Sequence, residues 1–137
     1  LEIYLGPCTV IDVSSQKLER LSPKVLSQKN IKTPRVLFKT NSLESFNAWQ
    51  EDFTALSKEL IEELSKKEVF LIGVDTPSVD PSKDQELIAH NSCFKHKISI
   101  LENLDLKEVP EGEYNLIALP LKLVGLEASP VRAILFK

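Results

Sequence analysis

The sequence predicts a mixed α+β domain whose C-terminal third is mainly β. Three observations carry that prediction. Short runs rich in β formers recur along the chain, and one of them, Val69 to Val74, is nearly continuously apolar. Helix-start signals separate these runs in the first two thirds. Beyond Ile98, strand-like segments follow one another without a further helix signal. The 137 residues read as a single domain, 1–137, with no repeat, low-complexity tract or linker to divide them.

Tyr4 to Val13 is the first strand, ended by the turn Asp12-Val13-Ser14-Ser15. Ser22-Pro23 is an N-cap followed by proline at the first helical position, opening a short helix through Ser27. Pro34 to Thr40 is the second strand. A clearer helix starts at Ser57, with Leu60, Ile61 and Leu64 as its apolar stripe and Leu56 placed to staple onto Ile61. Glu62 with Lys66 and Glu63 with Lys67 fall at i,i+4 on its wet face.

Val69 to Val74 has the pattern of a strand covered on both faces. Two prolines break the chain between Asp75 and Pro81. Ser82 with Gln85 forms a capping box for a third helix, through Phe94. Strands are then expected at Ile98 to Glu102, Glu113 to Val124 and Pro130 to Phe136, with a turn at Glu111-Gly112-Glu113 and a bulge or edge position at Pro120.

Seventeen basic residues against twenty acidic ones leave a formal charge of −3, which argues against a nucleic-acid partner. No apolar run approaches the ~20 residues needed to cross a bilayer, so no membrane partner is expected. Cys8 and Cys93 lack CxxC spacing and read as two reduced, buried thiols of a cytoplasmic protein. The chain opens at Leu1 and contains no Met, so either its natural start has been removed or it is a piece of something longer.

Candidate chemistry gathers around the third helix. Leu87, His90 and Phe94 are spaced i, i+3, i+7, so His90 shares a face with two apolar side chains. Alone, that is the pattern of a satisfied core histidine. His96, between Lys95 and Lys97, reads as solvated. Counting by twos from Ile98 gives Ile98, Ile100, Glu102, Leu104 and Leu106, one carboxylate in an apolar row. Either Glu102 points inward, where it needs a cation, a metal or several donors, or the strand ends there and Glu102 is exposed at a turn. An imidazole from a helix and a carboxylate from a strand converging on one point would be metal-ligand chemistry. Two ligands are too few for a catalytic zinc, and Asp75 is the best remaining candidate.

Other site types find little support. The four glycines are scattered, no GxSxG elbow occurs, and Cys93 beside His90 and His96 reads as packing rather than as a nucleophile with its base. Phe46, Trp49 and Phe53, at i, i+3, i+7, read as a helical face entering the core rather than the lining of an aromatic pocket.

Four segments, YLGPCTVIDV (4–13), LIGVDTPSVDP (71–81), AHNSCFKHKISILENLDL (89–106) and YNLIALPLKLVGLEASPVRAILF (114–136), together resemble the bacterial kynurenine formamidases (arylformamidases) of the metal-dependent, cyclase-like hydrolase superfamily. The resemblance implies a swivelling β/β/α (cyclase-like) fold, of which this chain is the C-terminal portion. It also implies metal ligation by His90 and Glu102, the pair reached from face and period. The family's H-x-G-T-H-x-D-x-P-x-H motif precedes the YLGPC strand and is absent from these residues. The remaining ligands and the general acid/base histidine are therefore expected on an upstream segment.

For the intact relatives the resemblance implies a zinc-dependent homodimer with two ions per site. It would hydrolyse N-formyl-L-kynurenine to L-kynurenine and formate in tryptophan degradation. This chain alone would be inactive. Two alternatives stay open: another amide substrate, or a metal-free remnant acting as a dimerising or binding module.

Overall fold

Alternating apolar side chains, one set to each face, build a mixed six-stranded main sheet. The computed structural model describes residues 1–16, 18–45 and 48–137. Its strands are β1 (Leu5–Asp12), β2 (Arg20–Leu21), β3 (Arg35–Lys39), β4 (Ala55–Leu56), β5 (Leu71–Val74), β6 (Ser99–Leu101), β7 (Gly112–Ile117) and β8 (Ile134–Phe136). The main sheet has the order β6-β5-β3-β1-β7-β8. β1, β3, β5 and β6 are parallel, whereas β7 pairs antiparallel with both β1 and β8. A two-residue parallel pair, β2 with β4, had no signal in the sequence.

One face of the sheet carries Ile11, Val36, Phe38, Ile72 and Val74. Against it pack helices α1 (Lys58–Lys66) and α2 (Ile88–His96) through Leu60, Ile61, Leu64, Ala89 and Cys93. The other face carries Cys8, Val10, Leu37, Leu71, Leu101 and Leu116, and Leu104 and Leu106 fold over it. Gly73 lies between these layers. A Cβ there would stand 2.4 Å from Leu37 Cδ2 and 2.7 Å from Leu104 Cδ1, so only glycine lets the loop after β6 close onto the sheet.

α1 forms as its sequence predicts. Ser57 accepts a hydrogen bond from the Leu60 amide, an N-cap contribution of about 1 kcal/mol. The predicted stripe is fully buried, together with Leu56. Of the wet-face pairs, Lys67 reaches Glu63 at 3.9 Å, but Lys66 also turns to Glu63, at 3.3 Å, instead of to Glu62. The segment after Ser22 is a four-residue 3-10 turn, Pro23–Leu26, without a side-chain cap.

Three predicted elements shift. The third helix is α2, Ile88–His96, and the capping box at Ser82 does not form. Ser82 Oγ instead donates to the Glu51 carbonyl, and Asp84 Oδ1 accepts from the Glu86 amide, so residues 82–87 become turns. β7 stops at Ile117, and Pro120 lies beyond it. β1 begins at Leu5, so past Ala118, whose amide reaches Tyr4, no neighbouring ladder remains. The last strand shortens to Ile134–Phe136. The Phe46, Trp49, Phe53 spacing is not a helical face: residues 48–54 are irregular, Trp49 is exposed, Phe53 is buried, and Phe46 lies outside the described residues.

Candidate functional site

The site assembles at the ends of β5 and β6, where parallel strands deliver their C-terminal loops to one edge. The break between Asp75 and Pro81 is buried at Asp75, Thr76, Val79 and Asp80. Backbone polar groups in a buried loop need partners, and side chains supply them. Asp75 accepts from the Thr40 amide at 3.0 and 2.9 Å, from Thr40 Oγ1 at 2.5 Å and from the Asn41 amide at 2.8 Å. With both oxygens so engaged, Asp75 is a brace between β3 and β5, not the third ligand its position suggested.

Asp80 does the comparable work for α2. Leu87, the residue before the helix, offers no capping side chain. The Ala89 and His90 amides donate instead to Asp80 Oδ1 and Oδ2, at 2.8 and 2.9 Å, satisfying two of the helix's orphan donors. Oδ2 also faces His90 Nδ1 at 2.9 Å, and Oδ1 accepts from Arg20 Nη1 at 3.0 Å. Arg20 continues to Asp84 and to the Leu56 carbonyl. Burial by itself would raise the Asp80 carboxyl. The hydrogen bonds from Ala89, His90 and Arg20 outweigh it and hold the group below the ordinary aspartate range.

His90 therefore presents Nε2 away from Asp80, and Glu102 Oε1 lies 3.5 Å from it. The sequence-predicted pair is brought together, though not by the face that suggested it. Leu87 and Phe94 are exposed, the latter at 87%, while Ala89, Ser92 and Cys93 make the buried face of α2. The spacing was helical, but its stripe points outward, and the His90 side chain is 36% exposed.

Glu102 is both at the end of its strand and turned inward. The strand ends at Leu101, yet the Glu102 side chain is only 29% exposed and accepts from the Val79 amide at 3.0 Å. Asn103, in the left-handed region at φ 56°, then turns the chain so that Leu104 and Leu106 reach the opposite face. Burial pushes the Glu102 carboxyl up, and nearby Asp80 adds to this, against the lowering effects of the Val79 amide and His90.

His96 is not solvated as expected. It is half-buried between the helices, with Nδ1 3.1 Å from Ser65 Oγ and, among the described residues, no partner for Nε2. Both cysteines are free and buried, as predicted. Burial raises the Cys93 thiol to about 12, and Asp80 and Glu102 push the same way, which disfavours the thiolate. Asp80 and Arg20 are the residues that sequence reasoning missed. The Asp80-Pro81 dipeptide in the loop before α2 was the available signal, but Ser82 offered the better local cap.

Residues 1–81 match the model of the family described as "Putative cyclase", 81 of 137 positions. The chain belongs to the cyclase family. It is similar to the kynurenine formamidases of Bacillus cytotoxicus, at 46% identity, and Bordetella pertussis, at 43%. Those alignments cover 98% of this cyclase-family chain and 64% and 65% of the two relatives, so it spans somewhat under two thirds of their length.

Among solved structures it is similar to one described as a predicted metal-dependent hydrolase from Bacillus stearothermophilus. That match has a TM-score of 0.85 and 31% identity over 98% of this chain and 65% of the other. An isatin hydrolase bound to thioisatinate, at 23% identity and TM-score 0.78 over 96% and 60% of the two chains, shares the fold. The cyclase-like fold read from the resemblance is thus the fold of these neighbours. Among the described residues no helix is long and apolar enough to cross a membrane, and no group of three or more His, Cys, Asp or Glu side chains is arranged to hold a metal.

Proposed function

We propose that this chain is the C-terminal part of a metal-dependent arylformamidase and that His90 and Glu102 are two of its metal ligands. The observation that carries the reading is the 3.5 Å approach of His90 Nε2 to Glu102 Oε1, with the other ring nitrogen already tied to Asp80. A borderline-soft cation such as zinc suits an imidazole–carboxylate donor set, and the tied Nδ1 is the usual arrangement behind a metal-binding histidine. The described residues fit half of a site. The complete one would take its other ligands and the general acid/base histidine from an HxGTHxDxPxH segment preceding Leu1 and would hold a second ion.

The substrate proposed is N-formyl-L-kynurenine, hydrolysed to L-kynurenine and formate in tryptophan degradation by a cytoplasmic homodimer. Similarity to a kynurenine formamidase, at 46% identity over 98% of the chain, supports the substrate. A bound divalent cation would supply Lewis acidity toward the formyl carbonyl and lower the pKa of water. This chain's residues hold and aim the donors: Asp80 fixes the His90 ring, and the Val79 amide fixes Glu102. Glu102 also lines a cleft of about 630 Å³ of mixed polarity, in which Asn103, Asp105 and Ser129 stand beside Leu104, Leu106, Val109 and Val131, large enough for an aryl group with polar substituents.

Zinc titration by calorimetry tests the assignment. Either His90→Ala or Glu102→Ala is expected to weaken binding by at least ~10-fold. Unchanged affinity in both would overturn it. Formate release from N-formyl-L-kynurenine by the 137-residue chain with added zinc is expected to be negligible, because two ligands do not complete the site. Rapid turnover would show that they suffice.

A further inference from the structure

We infer that Asp80 is a positioning residue of this site: it holds His90 in the tautomer that carries its proton on Nδ1 and leaves the Nε2 lone pair facing Glu102. The inference rests on the reading of His90 and Glu102 as ligands, and it adds a residue outside the donor set.

The geometry leaves Asp80 little freedom. It is 1% exposed, and its two oxygens receive four contacts: the Ala89 amide and Arg20 Nη1 on Oδ1, the His90 amide and His90 Nδ1 on Oδ2. The backbone amide and the ring nitrogen of one residue thus converge on one oxygen. That fixes both the start of the helix and the rotation of the ring projecting from it. An ionised carboxylate only accepts hydrogen bonds, and of the two carboxylates flanking the ring only Asp80, at 2.9 Å against 3.5 Å for Glu102, is within hydrogen-bond distance, so a neutral ring donates through Nδ1. The proton then cannot reside on Nε2, which is left as a lone pair 3.5 Å from Glu102 Oε1.

Arg20 keeps the carboxylate in place from behind. It arrives from β2, sixty residues before Asp80, and anchors to the Leu56 carbonyl of β4 at 2.8 Å. The small β2–β4 pair, whose Leu21 and Leu56 also belong to the core, thereby becomes the support of the ligand histidine. Loop, helix start and second sheet meet in one carboxylate, and the ligand geometry follows from the fold without the metal.

Long-range proton–nitrogen NMR on the chain labelled with ¹⁵N-histidine, free of metal and near pH 8, where ordinary histidine is neutral, reads the tautomer directly. The His90 ring is expected as the Nδ1–H form. An Nε2–H form in the wild type overturns the proposal, whatever any variant does.

In Asp80→Asn, which keeps the volume, the side-chain amide can donate to the ring. The Nδ1–H signature is expected to give way to a mixture, and zinc affinity to fall by ~10–100-fold. The ¹⁵N signals of His96 serve as an internal check that the helices remain packed. Retention of both the tautomer and the affinity in Asp80→Asn overturns the proposal. A wild type with the Nδ1–H form that binds no zinc overturns the ligand assignment and leaves the hold of Asp80 on the ring supported.

Discussion

Strands β5 and β6 lie side by side, and each runs directly into a carboxylate, Asp75 after Val74 and Glu102 after Leu101. Both carboxylates are withdrawn from solvent, yet they end in opposite conditions. Asp75 has its two oxygens filled by two amides and a hydroxyl from residues 40 and 41. Glu102 accepts from one amide, that of Val79, and faces a histidine at 3.5 Å. Spare lone pairs, rather than charge or position, separate the proposed ligand from the brace. A buried carboxylate with a full set of donors spends its charge on the fold. One with lone pairs to spare is costly until a cation or proton arrives.

The most drastic way to break that comparison is to remove the brace. Asp75→Ala leaves the Thr40 and Asn41 amides without their acceptor, and a loss of about 3 kcal/mol in urea unfolding is expected. A loss below about 1 kcal/mol, within the range of a single ordinary hydrogen bond, would show that Asp75 is not saturated in solution. Thr40→Val keeps the shape and both backbone donors while deleting the hydroxyl. It should cost about 1 kcal/mol, again read from the urea midpoint.

The smallest effect has the opposite sign. The folded-state pKa of Glu102 is raised, so the folded chain retains a proton that the unfolded chain has already released. Stability therefore falls as pH rises from the unfolded value, about 4.3, through the raised folded one, and stays lower at neutral pH. Glu102→Gln is expected to melt slightly higher than wild type at pH 7 in the absence of metal, with the difference vanishing below pH ~4. A lower melting temperature at pH 7 would make Glu102 a second brace and remove the contrast. The same substitution should abolish the stabilisation that zinc gives the wild type, since a ligand bound to the native state adds to its stability.

The main strands and α1 were legible because each carries its own signal. β5 is apolar throughout and buried on both faces, while α1 has cap, stripe and staple within nine residues of Ser57. α2 was displaced because its cap is remote. The local box at Ser82 satisfied every sequence rule, but a carboxylate eight residues before the helix holds its amides better, and only packing brings it there. Likewise the β2–β4 pair is two residues long and joins segments more than thirty residues apart, too short to leave a periodic trace.

Patterning along the chain was enough to determine that an α+β fold forms with β5 buried inside its sheet. It also singled out His90 and Glu102, because a lone polar group in an apolar pattern has to be explained by chemistry. Tertiary structure decided what periodicity does not encode. It placed the His90 stripe outward and turned the chain at Asn103 so that Glu102 parts from its leucine neighbours. It also spent Asp75 on the loop after β3 and put Asp80 behind the histidine. The physical reason is common to all four. Spacing along a strand or helix fixes which side chains share a face, whereas which lone pairs remain free depends on donors delivered from distant segments.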